Sequence, residues 1–360
     1  MPEVETMSVH PGRMAPPQQM PQQAQQPVAG HLPVLEVRDL QTRFPTAAGT
    51  VTPVDGVSFT LARGEIMGLV GESGSGKSVT GLSIMGLIDK PGRITGGSIK
   101  LKGRELVGLP EKALRALRGA DIAMIFQDPM MTLNPVLRVA TQMTEAILVH
   151  ERVSKQQALD RARAALVKVG IAAPDERLQA YPHALSGGMR QRIAIATALL
   201  HKPALIIADE PTTALDVTIQ GQILAEVQQL ARQEGMAMIW ITHDLSVVAG
   251  LADKICVLYA GRVAEYGTVD QVLDAPLHPY TAGLIASVPS HAQKGQALYQ
   301  IPGMAPMLLA LPPGCAFQAR CPRADAQCRA TPPPHSADQC TDHRAWCWHP
   351  VQALATQVSA

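Results

Sequence analysis

A chain of 360 residues with 46% hydrophobic residues can bury a sizeable core, and its formal net charge of +1 gives no global basic field to hold nucleic acid. Aromatic residues make up only 3%, which leaves few stacking platforms for single-stranded bases. The opening MPEVETMSVH is acidic and lacks an apolar stretch, no apolar run approaches membrane-spanning length, and the six cysteines are expected to stay reduced thiols.

In chain order, residues 1–31 (with APPQQMPQQAQQP) are Pro- and Gln-rich and are expected to form a disordered leader. From LPVLEVRDL (32–40) the pattern turns globular. EIMGLV (65–70), DIAMIF (121–126), ALIIAD (204–209), MAMIWIT (236–242) and KICVLY (254–259) are continuous apolar runs, as expected of strands covered on both faces. KSVTGLSIMGLI (77–88), QGQILAEVQQLARQ (220–233) and LSVVAGLA (245–252) read as helices between them. The alternation predicts an α/β fold with a largely parallel sheet. Between 132 and 185 the strands stop. VLRVATQMTEAILVHE and SKQQALDRARAALVKVG read as amphipathic helices, the second opening on Ser154 and Gln157 at capping-box spacing. The expected organisation is a core of 32–131 and 186–288, a helical insert of 132–185, and a Pro-, Gly- and Cys-rich extension of 289–360 with no clear period.

GESGSGKS (71–78) follows a strand candidate and opens a helix candidate, the context that G-x-x-x-x-G-K-[ST] needs to bind phosphate. Gly71, Ser73, Gly74, Ser75 and Gly76 supply a backbone that can turn its N–H groups inward. Lys77 can reach the β- and γ-phosphates, and the Ser78 hydroxyl can hold Mg²⁺. A Gly/Ser turn before an unrelated helix is the bland alternative, and the ordered strand, loop and helix weigh against it. LIIADEP (205–211) ends an apolar strand in two carboxylates. Asp209 is expected to bind Mg²⁺ through water, and Glu210 to act as the base toward the attacking water.

LSGGMRQR (185–192), lying between the helical insert and the DE strand, resembles the signature motif of ABC-type ATPases. Ser186, Gly187 and Gly188 precede a helix candidate, a second place where an anion can meet a helix N-terminus. The resemblance implies an ABC-type P-loop core with an antiparallel β subdomain, and a head-to-tail dimer in which each signature motif completes the partner's ATP site. It also implies roles for four further residues. Gln127 in FQDP resembles the Q-loop residue that senses Mg²⁺ and water and contacts a membrane subunit. Asp216 in TALD resembles the D-loop residue. His243 in ITHD resembles the switch histidine at the γ-phosphate. Phe44 in QTRFPT resembles the aromatic that stacks on adenine. Taken alone, His243 and Phe44 would read as ordinary structural residues.

MIFQDPMMTLNPV (124–136) and APLHPYTAGLIASVP (275–289), with His278, Pro279 and Tyr280, resemble the oligopeptide/dipeptide importer ATPases. That family implies a second, F-type ATPase as heterodimer partner, two membrane permeases, and a periplasmic peptide-binding protein that this chain does not touch. It also implies residence on the cytoplasmic face of the bacterial inner membrane and no direct contact with peptide. A nickel importer is a near relative and stays an alternative. A non-transport ABC ATPase acting on nucleic acid should bring basic patches or tandem cassettes, and the sequence has neither.

Five cysteines fall in the tail, from Cys315, Cys321 and Cys328 in GCAFQARCPRADAQC to Cys340 and Cys347. The spacing matches neither zinc-ribbon pairs nor the bacterial ferredoxin run, so free thiols, a disulfide, or zinc with His343 or His349 stay open. The resemblance is to D-type members, and it implies a [4Fe–4S] cluster on Cys315, Cys321, Cys328 and Cys347, with Cys340 an extra. Cys256, alone in an apolar strand, is expected to be core.

Overall fold

The computed structural model describes residues 32–212, 217–288, 299–333, 335–337 and 342–351. The leader expected over 1–31, Asp216 and Cys340 lie outside the described residues.

The chain enters through two long antiparallel strands, β1 (Leu35–Thr46) and β2 (Gly49–Leu61). It crosses to β3 (Ile66–Val70), which runs into helix α1 (Lys77–Met85), then returns as β4 (Arg93–Leu101) and the short β5 (Arg104–Glu105) to complete a four-stranded sheet ordered β2-β1-β4-β5. After α2 (Glu111–Leu117) and β6 (Ile122–Ile125) come four helices: α3 (Val139–Leu148), α4 (Lys155–Lys168), α5 (Pro174–Gln179) and α6 (Gly187–Ala198). Ser154 caps α4 with both bonds of the capping box: its hydroxyl accepts the Gln157 N–H at 3.2 Å, and the Gln157 amide oxygen accepts the Ser154 N–H at 2.9 Å. Alternation resumes with β7 (Leu205–Asp209), α7 (Val217–Glu234), β8 (Ala237–Thr242), α8 (Leu245–Leu251), β9 (Lys254–Tyr259) and β10 (Arg262–Thr268). The chain continues through α9 (Val269–Asp274), α10 (Pro279–Ala286), α11 (Ala326–Ala330), β11 (His335–Ala337) and β12 (Arg344–Trp346).

The second sheet is ordered β11-β12-β10-β9-β3-β8-β7-β6. The pairs β9–β3, β3–β8, β8–β7 and β7–β6 are parallel, and these five strands are the five apolar runs of the sequence. Every residue of β3, β7 and β8 is buried, because both faces of the sheet are covered. Strand pleating then sends neighbours to opposite cores. Met67, Leu69, Ile207 and Ile239 pack with the antiparallel sheet. Ile66, Ile206, Met238 and Trp240 pack with Val139, Met143, Ala162 and Ile193 of the helical insert. One sheet thereby fastens both subdomains, each fully buried large aliphatic residue contributing about 1.5–3 kcal/mol.

The tail forms β11 and β12, which extend the core sheet beyond β10 in antiparallel register, Glu265 facing Ala345 and Tyr266 facing Arg344. Fully buried Glu265 is the joint. Its carboxylate accepts the N–H groups of Leu277 and His278, each at 2.8 Å, and faces the His343 ring nitrogen Nε2 at 2.7 Å. His278 caps α10 through its ring, Nδ1 accepting the Tyr280 N–H at 3.0 Å. Burial pushes the His278 pKa down to about 4, with Glu265 opposing, so the ring stays the neutral acceptor that this cap requires. Among the described residues no helix is long and apolar enough to cross a membrane.

Candidate nucleotide site

The phosphate loop bridges the end of β3 and the start of α1. Gly76 has φ 100° and caps α1 without a side chain, and a Cβ there would lie 2.0 Å from the Pro53 carbonyl oxygen. Only glycine fits that approach, and the open first turn leaves its N–H groups for an anion. Lys77 is buried, its ammonium donating to the carbonyls of Gly71 at 2.8 Å and Glu72 at 3.0 Å. Burial lowers its pKa, while Glu210, Asp209 and Glu72 pull the other way. The Ser75 hydroxyl is buried without a hydrogen-bond partner, a polar atom with nothing in the chain to satisfy it.

β7 delivers the carboxylates. Asp209 is buried at its end, accepts the Ser78 hydroxyl at 3.0 Å, and has its pKa raised by burial despite that bond. Two of the three residues expected at Mg²⁺, Ser78 and Asp209, therefore stand side by side. Glu210 follows at φ 44°, a left-handed conformation that costs energy for a residue with a Cβ, and its N–H donates to the Ile241 carbonyl at 3.0 Å. The twist aims its carboxylate at Gln127, whose Nε2 lies 3.4 Å from Oε2, and at His243, whose Nδ1 lies 3.2 Å from Oε1. A cavity of about 820 Å³ opens here, lined by Ser73, Gly74, Gly76, Lys77 and Ser78 on one side and by Gln127, Glu210 and His243 on the other.

Three expected groups stand apart from this cavity wall. Ser186 caps α6, its hydroxyl accepting the Met189 N–H at 3.3 Å, and Ser186, Gly187 and Gly188 line no part of the cavity. Phe44 packs close against Gly92 on β1, while Pro53 and Leu308 supply apolar wall. The tail thiols gather elsewhere. Cys315, Cys321, Cys328 and Cys347 are free and lie within electrostatic range of one another. Burial raises the thiol pKa of Cys315 and Cys321 and pushes Cys347 up to about 11; backbone N–H groups of Phe317, Arg323 and His349 oppose it at these three sulfurs in turn. The His349 N–H reaches the Cys347 sulfur at 3.3 Å. Among the described residues, the one set of three or more possible ligands drawn within 4.8 Å of one another is Asp325, Cys328 and His349. His343 is held by Glu265 instead.

Sequence reasoning missed Glu72 and Arg320, and it singled out Tyr280 only as a mark of resemblance. Tyr280 accepts the Glu72 N–H at 2.9 Å, and Arg320 grips its carboxylate at 2.8 and 3.1 Å. The only hint in the sequence was an arginine set between two cysteines of the tail.

A strand–phosphate loop–helix unit facing a DE strand, with glutamine and histidine on the glutamate and a separate signature helix, defines an ATP-binding cassette ATPase. The ABC transporter family model matches residues 54–213, and the model described as the oligopeptide/dipeptide transporter C-terminal region matches residues 264–328. The oligopeptide transport ATP-binding protein OppD of Salmonella typhimurium is 50% identical over 300 residues, covering 83% of this chain and 89% of its own. The dipeptide transport ATP-binding protein DppD of Bacillus subtilis is 49% identical over 316 residues, covering 88% of this chain and 94% of its own. Among solved structures, a dimeric post-hydrolysis state of the ATP-binding cassette MJ0796 bound to ADP and Pi aligns with TM-score 0.60 and 25% identity, covering 65% of this chain and 98% of that one. The chain belongs to the family of oligopeptide/dipeptide ABC transporter ATP-binding proteins.

Proposed function

We propose that this chain hydrolyses ATP to drive import of di- and oligopeptides through separate permease subunits, from the cytoplasmic face of the inner membrane. The observation that carries the reading is Glu210, aimed by its own backbone twist across from the phosphate loop with Gln127 and His243 on its carboxylate. The α1 N-terminus and Lys77 receive the phosphates. Ser78 and Asp209, with Gln127, are the residues that would hold Mg²⁺, and the ion would neutralise charge on the phosphate oxygens. Glu210 takes the proton of the attacking water and His243 orients it against the γ-phosphate. Phe44 is proposed to stack on adenine and Asp216 to reach across the dimer. Ser186, Gly187 and Gly188 are proposed to close a second ATPase's site, the second subunit being the F-type partner. A periplasmic binding protein delivers the peptide, which this chain does not contact. In vesicles bearing both permeases and both ATPases, enclosed ATP and external binding protein are expected to drive uptake of labelled peptide. ATP consumption with uptake of nickel and none of peptide would overturn the substrate assignment.

The tail thiols fit a metal group. Three of the sulfurs face backbone N–H donors, as metal thiolates do, and loading would release their protons. A single zinc needs sulfurs about 3.8 Å apart, given Zn–S bonds of about 2.3 Å. Among the described residues no three of these sulfurs lie within 4.8 Å of one another, which favours a polynuclear [4Fe–4S] group on Cys315, Cys321, Cys328 and Cys347 over one zinc. Such a group supplies crosslinks to a Pro-rich segment with little core of its own. Protein purified without oxygen is expected to be brown, with about four irons per chain. Colourless protein carrying one zinc, lost on Asp325→Ala or His349→Ala, would replace this reading with a mononuclear site.

A further inference from the structure

The tail touches the nucleotide site in two places: Leu308 supplies apolar wall, and Arg320 holds a residue of the phosphate loop. Glu72 belongs to the phosphate loop and lines the cavity in which the triphosphate is proposed to sit. Its backbone N–H is held by Tyr280 of α10 and its carboxylate by the two-pronged grip of Arg320, a contact spanning 248 residues of sequence. Arg320 is itself buried, at 7% exposure, and every edge of it is spoken for. Nε donates to the Pro302 carbonyl at 2.9 Å, Nη1 reaches the Tyr259 hydroxyl at 3.3 Å, and the guanidinium lies over the rings of Tyr259 and Phe317. The next residue is Cys321. Phe317 joins the tail to the hydrophobic cluster of Val70, Tyr259 and Tyr280, so the segment is fixed from both sides.

A free carboxylate at Glu72 would face the polyphosphate with a like charge. Paired in two parallel bonds with a buried guanidinium, its charge is neutralised. We propose that Arg320 is a positioning residue of the ATP site, which neutralises Glu72 and sets the phosphate loop, and that the seating of the neighbouring Cys321 thiol group is transmitted to the nucleotide through this pair. The proposal rests on the ATP-site reading above and adds a coupling between the tail and nucleotide affinity.

The test is equilibrium binding of a fluorescent ATP analogue with Mg²⁺ to the full-length chain. R320M is expected to weaken binding about tenfold or more, because it leaves a buried-edge carboxylate unpaired beside the phosphates. E72Q is the reference for the second arm: measured against E72Q, the E72Q/R320M variant should lose less than about twofold, so that the loss caused by R320M depends on the Glu72 carboxylate. A purely structural role for Arg320 would cost as much in the E72Q background as in the natural one, and that result overturns the proposal, as does R320M binding with unaltered affinity. Should R320M fail to fold, R320Q, which keeps one hydrogen bond and no charge, takes its place with the same expected result in the E72Q background. C321S is expected to weaken binding in the natural background but not with E72Q; unaltered affinity in C321S overturns the transmission from the thiols. If the unaltered chain binds no nucleotide, it is the ATP-site reading that falls.

Discussion

Glu210→Gln is expected to keep nucleotide binding and to cut phosphate release from this chain's own site at least about hundredfold, the usual weight of a positioned general base. The substitution changes almost nothing else. Glutamine matches the shape of glutamate, so the left-handed backbone at φ 44° and the N–H bond to Ile241 are undisturbed. One amide oxygen still accepts from Gln127 or His243, the two partners within 3.4 Å. What disappears is the site that takes a proton from water, together with one negative charge in a cavity that must hold a polyanion. Binding should therefore hold or tighten while the chemical step stops. Mixed with its partner ATPase and MgATP, the variant should hold ATP unhydrolysed at its own site, and the phosphate that is released should come from the partner's base alone. Release near the natural rate would remove Glu210 from the role of base and turn attention to His243.

Legibility of this chain followed the range of the physics. β3, β7 and β8 announced themselves because strands buried on both faces need an unbroken apolar run, and few other segments do. The α4 start was written in two side chains three residues apart. The phosphate loop was readable because Gly76 must pass under the Pro53 carbonyl and Lys77 must follow it, which leaves little freedom in sequence. Other features were set by partners far away. β11 and β12 have three residues each, too short for a period to emerge; β12 exists because β10 offers it an edge, and β11 because β12 offers the next. The division of Met67 and Ile66 between two cores depends on what covers each face, which a run of apolar letters does not reveal. Arg320 looks like any solvated tail arginine until Glu72 is brought to it. Phe44 was chosen by resemblance alone, and its packing against Gly92 is a detail of loop geometry that no spacing rule contains.

Gly187→Asp is expected to leave the chain folded and its own phosphate loop able to bind MgATP, yet to lower turnover at the partner's site about hundredfold or more. Gly187 is the first residue of α6, needs no left-handed backbone, and a Cβ built on it meets nothing within 4 Å. The fold alone gives no reason for glycine here. A side chain would favour the helix by reducing freedom in the unfolded chain, and an aspartate in a first turn interacts well with the helix dipole. Stability should hold or rise, so any loss of function lies outside the isolated chain. On the proposed function, the reason for glycine is what approaches α6 from beyond it: a phosphate drawn against the N–H groups of Gly187 and Gly188, with the Ser186 hydroxyl beside them. A carboxylate in that gap meets the phosphate with like charge and denies it the backbone, and losing one such donor alone costs about a hundredfold in comparable sites. Pairing Gly187→Asp with Glu210→Gln in this chain isolates the partner's site, because the only remaining base belongs to the partner. Phosphate release by that dimer at the rate of Glu210→Gln alone would mean that the signature helix of this chain closes no site but its own.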